Sequence, residues 1–478
     1  MTDTDAYESV LATRYASPPM VRLWSASHRA KVWRRLWLAL AEEQRRLGLA
    51  IPEAALRGMR DHLDDPDLDR VRSHERRLRH DVMAHIHAFA EQAPAARPYL
   101  HLGATSAYVT DNADLIVLRD SMRLLIGRLV AVLATLRDFA VHHRSLPTVA
   151  YTHFQPAQLT TVGKRAALWL QDFALDAAAL HELAERLPFR GCKGTTGTQA
   201  SFLELFGGDH GKVVELDRRI AMAFGFPASL PLTGQTYTRK IDSWVLDGLA
   251  GLAQSAGKFA TDLRLLQHEG ELLEPAETEQ VGSSAMPYKR NPVRAERICA
   301  LARYVITLRD NAAQTAATQW LERTLDDSAN RRLSLPESCL AADAVLVLVT
   351  NVAAGLEVRE VSIQRNVARV MPFMATERWL MLAVQAGGDR QAVHEIIRRH
   401  ARAVADEVER GGANDLLDRL AADAAFAGLD TAALSGELDP AKYAGRAPEQ
   451  VTEYVEGVLR PLLTRLAGYK TPDAEVAV

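Results

Sequence analysis

The chain has 478 residues, 48% of them hydrophobic and 24% charged, so it can bury sizeable cores, and its length suggests about three domains. Lysine and arginine total 57 against 60 acidic residues, a formal charge of −3. That excludes the global basic field of a nucleic-acid binder and leaves any anion recognition to local clusters. Cys192, Cys299 and Cys339 are widely spaced and lack CxxC spacing, so they read as reduced thiols and not as a disulfide frame or zinc site.

In chain order, the opening MTDTDAYESVLATRY is acidic and lacks the apolar stretch of a signal peptide. No run is read as a membrane span, and the expected location is the cytoplasm. Residues 1–105 mix short amphipathic helices with turns. Within them RLRHDVMAHIH (77–87) invites a metal reading. On a helix, however, His80 and His87 lie about 10 Å apart along the axis and His85 points elsewhere, so no metal is expected. His80, flanked by Arg79 and Asp81, is the better functional candidate, weighed against a capping or packing role.

HLGATSAYVTDN (101–112) crowds polar residues, Thr105 and Ser106 among them, next to a glycine. Then Leu115, Leu118, Met122, Leu125, Leu129, Val132, Leu136 and Phe139 alternate steps of three and four, the a/d seam of a long helix. A helix carrying such a seam runs roughly 40 Å. His142 and His143 end it, where they offset its dipole. YTHFQPAQ (151–158) reads as a turn bearing Thr152 and His153, and a turn histidine can act as a general acid because it titrates near neutrality.

Small residues follow, including Gly163, Ala166, Ala167, Ala174 and Ala177, which allow close helix approach. KGTTGTQAS (193–201) is another polar loop; Val245, Leu249, Leu252, Ala256, Phe259, Leu263 and Leu266 form a second seam. Helices this long are expected to bundle with copies from other subunits, a monomeric helical bundle being the alternative.

GSSAMPYKRNP (282–292) has the period of neither helix nor strand and reads as a shaped loop. Asn291 is expected at the N-cap and Pro292 at the first position of the next helix, whose N-terminus can gather negative charge. Ser283 can be a base only where its alkoxide is stabilised, and the Gly282 amides, the helix N-terminus and Lys289 can each contribute. No GxSxG elbow surrounds it, and Lys289 lacks the glycines of a phosphate-binding P-loop.

Ile298, Leu301, Val305 and Leu308 begin a third seam, and WLERTLDDSANRR (320–332) crowds arginines against carboxylates. From about 359, shorter helices are punctuated by paired glycines at 387–388 and 411–412. Strand signals are scarce. The expected fold is all-α in three parts: residues 1–105, a long-helix bundle over 106–358 that carries the 282–292 loop, and 359–478.

GSSAMPYKRNP closely resembles the signature of the fumarase/aspartase superfamily, GSSxMPxKxNP. TRYASPPM, RRLRHDVMAHIHAF, THFQPAQLTTVGKR, KGTTGTQASFLELF, TGQTYTRK, ERTLDDSANRR and PFMATERW resemble its purine-nucleotide branch, in the animal-type form. The likeness covers nearly the whole chain and is weakest after about 415. It implies a three-domain homotetramer with a core of about twenty helices, active sites shared between three subunits, and no cofactor.

The implied reaction is β-elimination of fumarate from a succinylated purine nucleotide: adenylosuccinate would give AMP, and the succinyl-carboxamide ribotide of purine synthesis its carboxamide. By resemblance, Ser283 is the base, His153 the general acid, His80 a substrate-binding support, and Lys289 and Asn291 hold the succinyl carboxylates. Arg14, Tyr15, Arg79, Asp81, Thr105, Ser106, Thr152, Gln235, Arg297, Arg323, Ser328 and Arg332 match substrate-binding positions. HEGELLEPAETEQ (268–280) is given no chemistry and is expected to belong to a mobile lid that reaches into the signature loop. Argininosuccinate lyase, fumarase and aspartase share the serine loop, but Tyr288, Arg290 and the stretches TGQTYTRK and ERTLDDSANRR favour the nucleotide substrate. An inactive homologue kept as a scaffold is the alternative from another class.

Overall fold

The computed structural model describes residues 7–277, 284–427, 429–430 and 438–470. A π-helical turn (Leu11–Tyr15) leads into α1 (Pro18–Leu23), α2 (Ala26–Arg46), α3 (Glu53–Asp61), α4 (Leu68–Leu78) and α5 (Asp81–Gln92). Local capping sets several of these starts. Ser25 accepts the His28 N–H for α2, and Asp67 accepts the Arg70 N–H for α4.

The body of the molecule begins with α6 (Ser106–His142), an unbroken helix of 37 residues. Its seam is fully buried from Leu115 to Leu136. A hairpin, β1 (Pro147–Thr152) and β2 (Gln155–Thr161), turns the chain into α7 (Val162–Arg186). Gly163 makes this return possible, because a β-carbon there would lie 2.2 Å from the Ala140 carbonyl oxygen. The turn expected in YTHFQPAQ is the reversal of this hairpin, at His153–Phe154, while the flanking strands were not expected. Thr148, Val149 and Tyr151 suit a strand, but no Asn-Gly announces the reversal.

Two short helices, α8 (Ala200–Leu205) and α9 (His210–Ala223), precede α10 (Lys240–His268). The α10 seam from Val245 to Leu263 is wholly buried. After it β3 (Leu272–Leu273) leads toward the signature loop, and α11 (Val293–Ala317) and α12 (Asp326–Ala354) pack as a pair. The chain then enters β4 (Glu357–Val358), which pairs antiparallel with β3.

α12 corrects one expectation. It is long and apolar enough to cross a membrane, with mean hydropathy 1.6 over its best window, yet 83% of that window is buried inside the protein. A helix apolar all round is a core helix when its neighbours cover it.

α13 (Glu360–Met374) packs on β1, and α14 (Thr376–Gln385), α15 (Arg390–Glu409) and α16 (Leu416–Ala422) follow. Trp379, Val393, Ile397, Leu416, Leu420 and Phe426 form a separate small core among these last three. The final helical stretch, Ala447–Tyr454 continued through Val455–Leu459 and Arg460–Arg465, returns to the main core with Val451, Leu459 and Leu466. Leu168 and Leu175 on α7, Trp244 and Leu265 on α10, Tyr304 on α11 and Leu333 on α12 remain exposed.

Candidate active site

One cavity of about 740 Å³ opens at the end of the bundle where α6, α10 and α12 begin. Arg79, His80, Asp81, Thr105, Ser106, Gln235, Arg323, Ser328 and Arg332 all line it. Their positions follow from element ends. Arg79 closes α4 in the left-handed region (φ 54°), which turns the chain sharply into His80. His80 is the N-cap of α5: its Nδ1 accepts the Met83 N–H at 3.3 Å, so the neutral ring carries its proton on Nε2. The capping role weighed against function therefore coexists with a place on the cavity wall. Thr105 is the N-cap of α6 and Ser106 its first residue, and Thr105 spends no side-chain bond on the cap.

Gln235 is held from two sides. Its N–H donates to the Glu322 carbonyl at 2.9 Å, and its carbonyl accepts from the buried Arg190 guanidinium at 2.9 and 2.5 Å. Gly197 lets the 193–199 loop press on this segment, since a β-carbon there would meet the Thr233 carbonyl at 1.8 Å. The glycines of KGTTG thus shape the wall of the cavity.

Part of the cavity wall is a buried ionic lattice. Arg239 donates from Nε to Asp327 at 2.7 Å and from its two Nη atoms to Asp111 at 3.1 and 3.2 Å. Arg331 reaches Asp242 at 2.6 Å and Asp114 at 2.9 Å, and its Nη2 lies 2.5 Å from the Tyr237 hydroxyl. Burial would raise the Asp111 carboxyl, but Arg239, Arg331 and Arg190 together hold it below its ordinary value. These two arginines are saturated by carboxylates. Other cations remain available to a ligand. Arg323 contacts Asp327 at 3.2 Å while partly exposed, and Arg332 contacts Asp81 at 2.7 Å while largely exposed. Arg79 has no carboxylate partner among the described residues, nor does Arg29, which lines the same cavity and sits 5.6 Å over the Trp33 ring. Arginines and hydroxyls lining one cavity make a site for a ligand with several negative charges.

Sequence reasoning missed Arg29, because SASHRAKVW looks like any amphipathic helix start. His85 is buried against Trp33, with ring centroids 4.8 Å apart, and burial lowers its pKa to about 4. Among the described residues, no group of three or more His, Cys, Asp or Glu is arranged to hold a metal ion.

The other candidate residues lie elsewhere in the same chain. Thr152 and His153 end β1 and tip the hairpin, both exposed. The 37 residues of α6 separate this hairpin from Thr105 and Ser106, a span of about 55 Å. Lys289 and Asn291 precede α11, whose 25 residues put them about 37 Å from its far end, which leads to Arg323 and Leu325 on the cavity wall. Arg297, in the second turn of α11, stacks 5.6 Å over Tyr15, which brings Tyr15 and the adjacent Arg14 to that region. Ser283 lies outside the described residues. One chain thus holds three groups of candidate residues: the cavity, the hairpin tip and the approach to α11.

Residues 21–307 match the family model described as "Lyase", and residues 372–454 match "Adenylosuccinate lyase C-terminus". The adenylosuccinate lyase of Saccharomyces cerevisiae is 47% identical over 460 residues, covering 95% of each chain. That of Schizosaccharomyces pombe is 48% identical, covering 100% of this chain and 99% of its own. The chain belongs to the adenylosuccinate lyase family, within the fumarase/aspartase superfamily. The fold agrees: a fumarate lyase structure from Mesorhizobium sp. BNC1 superposes with a TM-score of 0.81 at 26% identity, over 95% of this chain and 100% of that one.

Two expectations about the family's signature loop need correction. The helix after it starts at Val293, not Pro292. Pro292 has φ −78° and ψ 61°, which is not helical, and its carbonyl accepts the Glu296 N–H, so Pro292 is itself the N-cap. A proline has no side chain to accept the free amides. Those of Arg294 and Ala295 donate instead to Glu274, at 3.0 and 2.9 Å. The positive end of α11 is therefore already met by a carboxylate of this chain and is not open to substrate.

The second correction concerns the stretch before the loop. Glu271 and Glu274 are 0% and 3% exposed, so residues 271–275 are packed structure and not a lid. Burial pushes the Glu274 carboxyl up, against the opposing pull of the Arg294 and Ala295 amides. Residues 278–283, the next part of the expected lid, lie outside the described residues.

Proposed function

We propose that this chain is a carbon–nitrogen lyase that eliminates fumarate from adenylosuccinate to leave AMP, and from the related succinyl-carboxamide ribotide of purine synthesis. The observation that carries the reading is the cavity. Nine residues matched to substrate-binding positions, arginines and hydroxyls among them, line one space of about 740 Å³, a volume suited to a small ligand. Phosphate and carboxylates are the anions such donors favour.

In this reading Ser283 removes the proton from the succinyl β-carbon. The carbanion spreads into the neighbouring carboxylate as a dianionic aci form, and the Lys289 ammonium and the Asn291 amide stabilise that charge as it develops. His153 protonates the departing nitrogen, with His80 holding the substrate beside it. Arg14, Tyr15, Arg79, Asp81, Thr105, Ser106, Thr152, Gln235, Arg297, Arg323, Ser328 and Arg332 fix the nucleotide and the succinyl arm.

The reading includes a homotetramer acting in the cytoplasm, with each active site drawn from three subunits. Two features support it. Helices of about 55 and 37 Å keep the cavity apart from the hairpin tip and from the approach to α11 within one chain, so one substrate can meet all three groups only where copies pack. Exposed Leu168, Leu175, Trp244, Leu265 and Leu333 also give the long helices apolar faces for such packing. The three-part division at 1–105, 106–358 and 359–478 belongs to the same reading.

The test is ultraviolet absorbance with adenylosuccinate, for the parent and for Ser283→Ala. The parent should release fumarate and the variant should lose at least a hundredfold in kcat. Undiminished turnover in the variant would remove Ser283 from the mechanism. Fumarate release from argininosuccinate alone would overturn the substrate.

A further inference from the structure

Gln267 and the segment that follows α10 touch both the hairpin and the signature loop. Glu271 faces one way. Its carboxylate accepts from the Thr148 hydroxyl of β1 at 2.9 Å and from Asn366 of α13 at 3.0 Å, with Arg165 at 3.6 Å. Glu274, three residues on, faces the other way and takes the two free amides at the start of α11. Between them Leu272 and Leu273 pair with Val358 and Glu357, so the two carboxylates stand on a fixed strand.

The end of the signature loop is tied to the same strand. Arg290 donates to the Glu274 carbonyl at 3.0 Å and pairs with Glu357 at 2.9 Å. Gln267 closes the ring: its Nε2 donates to the Arg290 carbonyl at 3.0 Å, and its Oε1 accepts the Glu274 N–H at 3.2 Å. Lys289 and Asn291 flank Arg290 directly.

We propose that Glu274 is a positioning residue: by capping α11 from a neighbouring strand, it sets where Lys289 and Asn291 stand, while Glu271 holds the hairpin of His153 to the same support. The proposal rests on the lyase reading above. Pro292 leaves the helix without a cap of its own, and a lone carboxylate 20 residues upstream supplies both missing bonds. Removing it frees the first turn and lets the lysine drift. Because Lys289 acts on charge that appears only in the transition state, drift lowers kcat more than it raises KM.

The experiment compares the parent, Glu274→Ala and Glu274→Gln, using fumarate release from adenylosuccinate, thermal unfolding and amide hydrogen exchange. Glu274→Ala should lower kcat on the order of tenfold to a hundredfold, with a smaller change in KM. Exchange at the Arg294 and Ala295 amides should speed up, and Glu274→Gln should recover part of kcat. Parent-like kcat per folded molecule in Glu274→Ala would overturn the proposal. If that variant does not fold, Glu274→Gln decides: reduced kcat near parent KM supports the proposal, and parent-like kcat overturns it. If the parent releases no fumarate, the lyase reading fails instead, and exchange at those two amides still decides whether Glu274 caps the helix.

Discussion

His153 has φ 54° and Phe154 has φ 57°, and they form the two-residue turn between Thr152 and Gln155. Both sit in the left-handed region, where a β-carbon costs about 1–2 kcal/mol and where hairpins favour Asn-Gly. The imidazole is therefore kept at the tip against a local cost. His153→Asn should leave the thermal midpoint unchanged or raise it, while fumarate release falls at least a hundredfold. Lost stability with retained turnover would show that the ring serves the turn. Arg239 makes the opposite case. Its side chain is 1% exposed and balances Asp111 and Asp327, so Arg239→Ala should cost about 3–5 kcal/mol in urea unfolding. A loss under about 1 kcal/mol would mean the lattice contributes nothing net. Arg79, Asp81, Arg323 and Arg332 were singled out by the family resemblance; arginines crowded near carboxylates marked their stretches as polar but did not choose among the residues. Glu274 was not legible: its partners lie 20 residues away, and no local pattern encodes a cap delivered from another strand.

At the scale of elements, the heptad seams of α6 and α10 were legible because a spacing of three and four allows only one face, and that face is buried. The strands of the hairpin were not, since they are short and their reversal uses His-Phe. The start of α11 was misplaced because Asn-Pro is a common helix opening, and only the backbone angles of Pro292 decide otherwise. Gly163 marks where elements touch most closely. Gly163→Ala forces a β-carbon against the Ala140 carbonyl, and the α6–α7 junction must open. Loss of about 1–3 kcal/mol in thermal or denaturant unfolding is expected, and an unchanged midpoint would place the close approach elsewhere.

Across the whole molecule, buried histidines set an acid limit. Burial lowers His85 and His101 to about 4, and the His101 Nδ1 accepts the Trp37 indole N–H at 2.9 Å. Both rings are neutral when folded, whereas the unfolded chain takes up protons below about 6.5. Their stabilisation is thus complete above pH 6.5 and is lost as pH falls toward 4, by up to about 3 kcal/mol for each ring. Denaturant midpoints between pH 8 and 4 should fall less steeply for His85→Phe than for the parent, and equal slopes would contradict this.

The hairpin tip lies about 55 Å from the cavity at the other end of α6. The central claim is that neighbouring copies close that gap, and hybrid complementation tests it most directly. His153→Ala, at the hairpin tip, and His80→Ala, on the cavity wall, each expected to be inactive alone, are unfolded together and refolded as mixed assemblies. The account predicts that fumarate release from adenylosuccinate returns, because some sites then draw an intact residue from each kind of subunit. Mixed assemblies as inactive as their parents would contradict it.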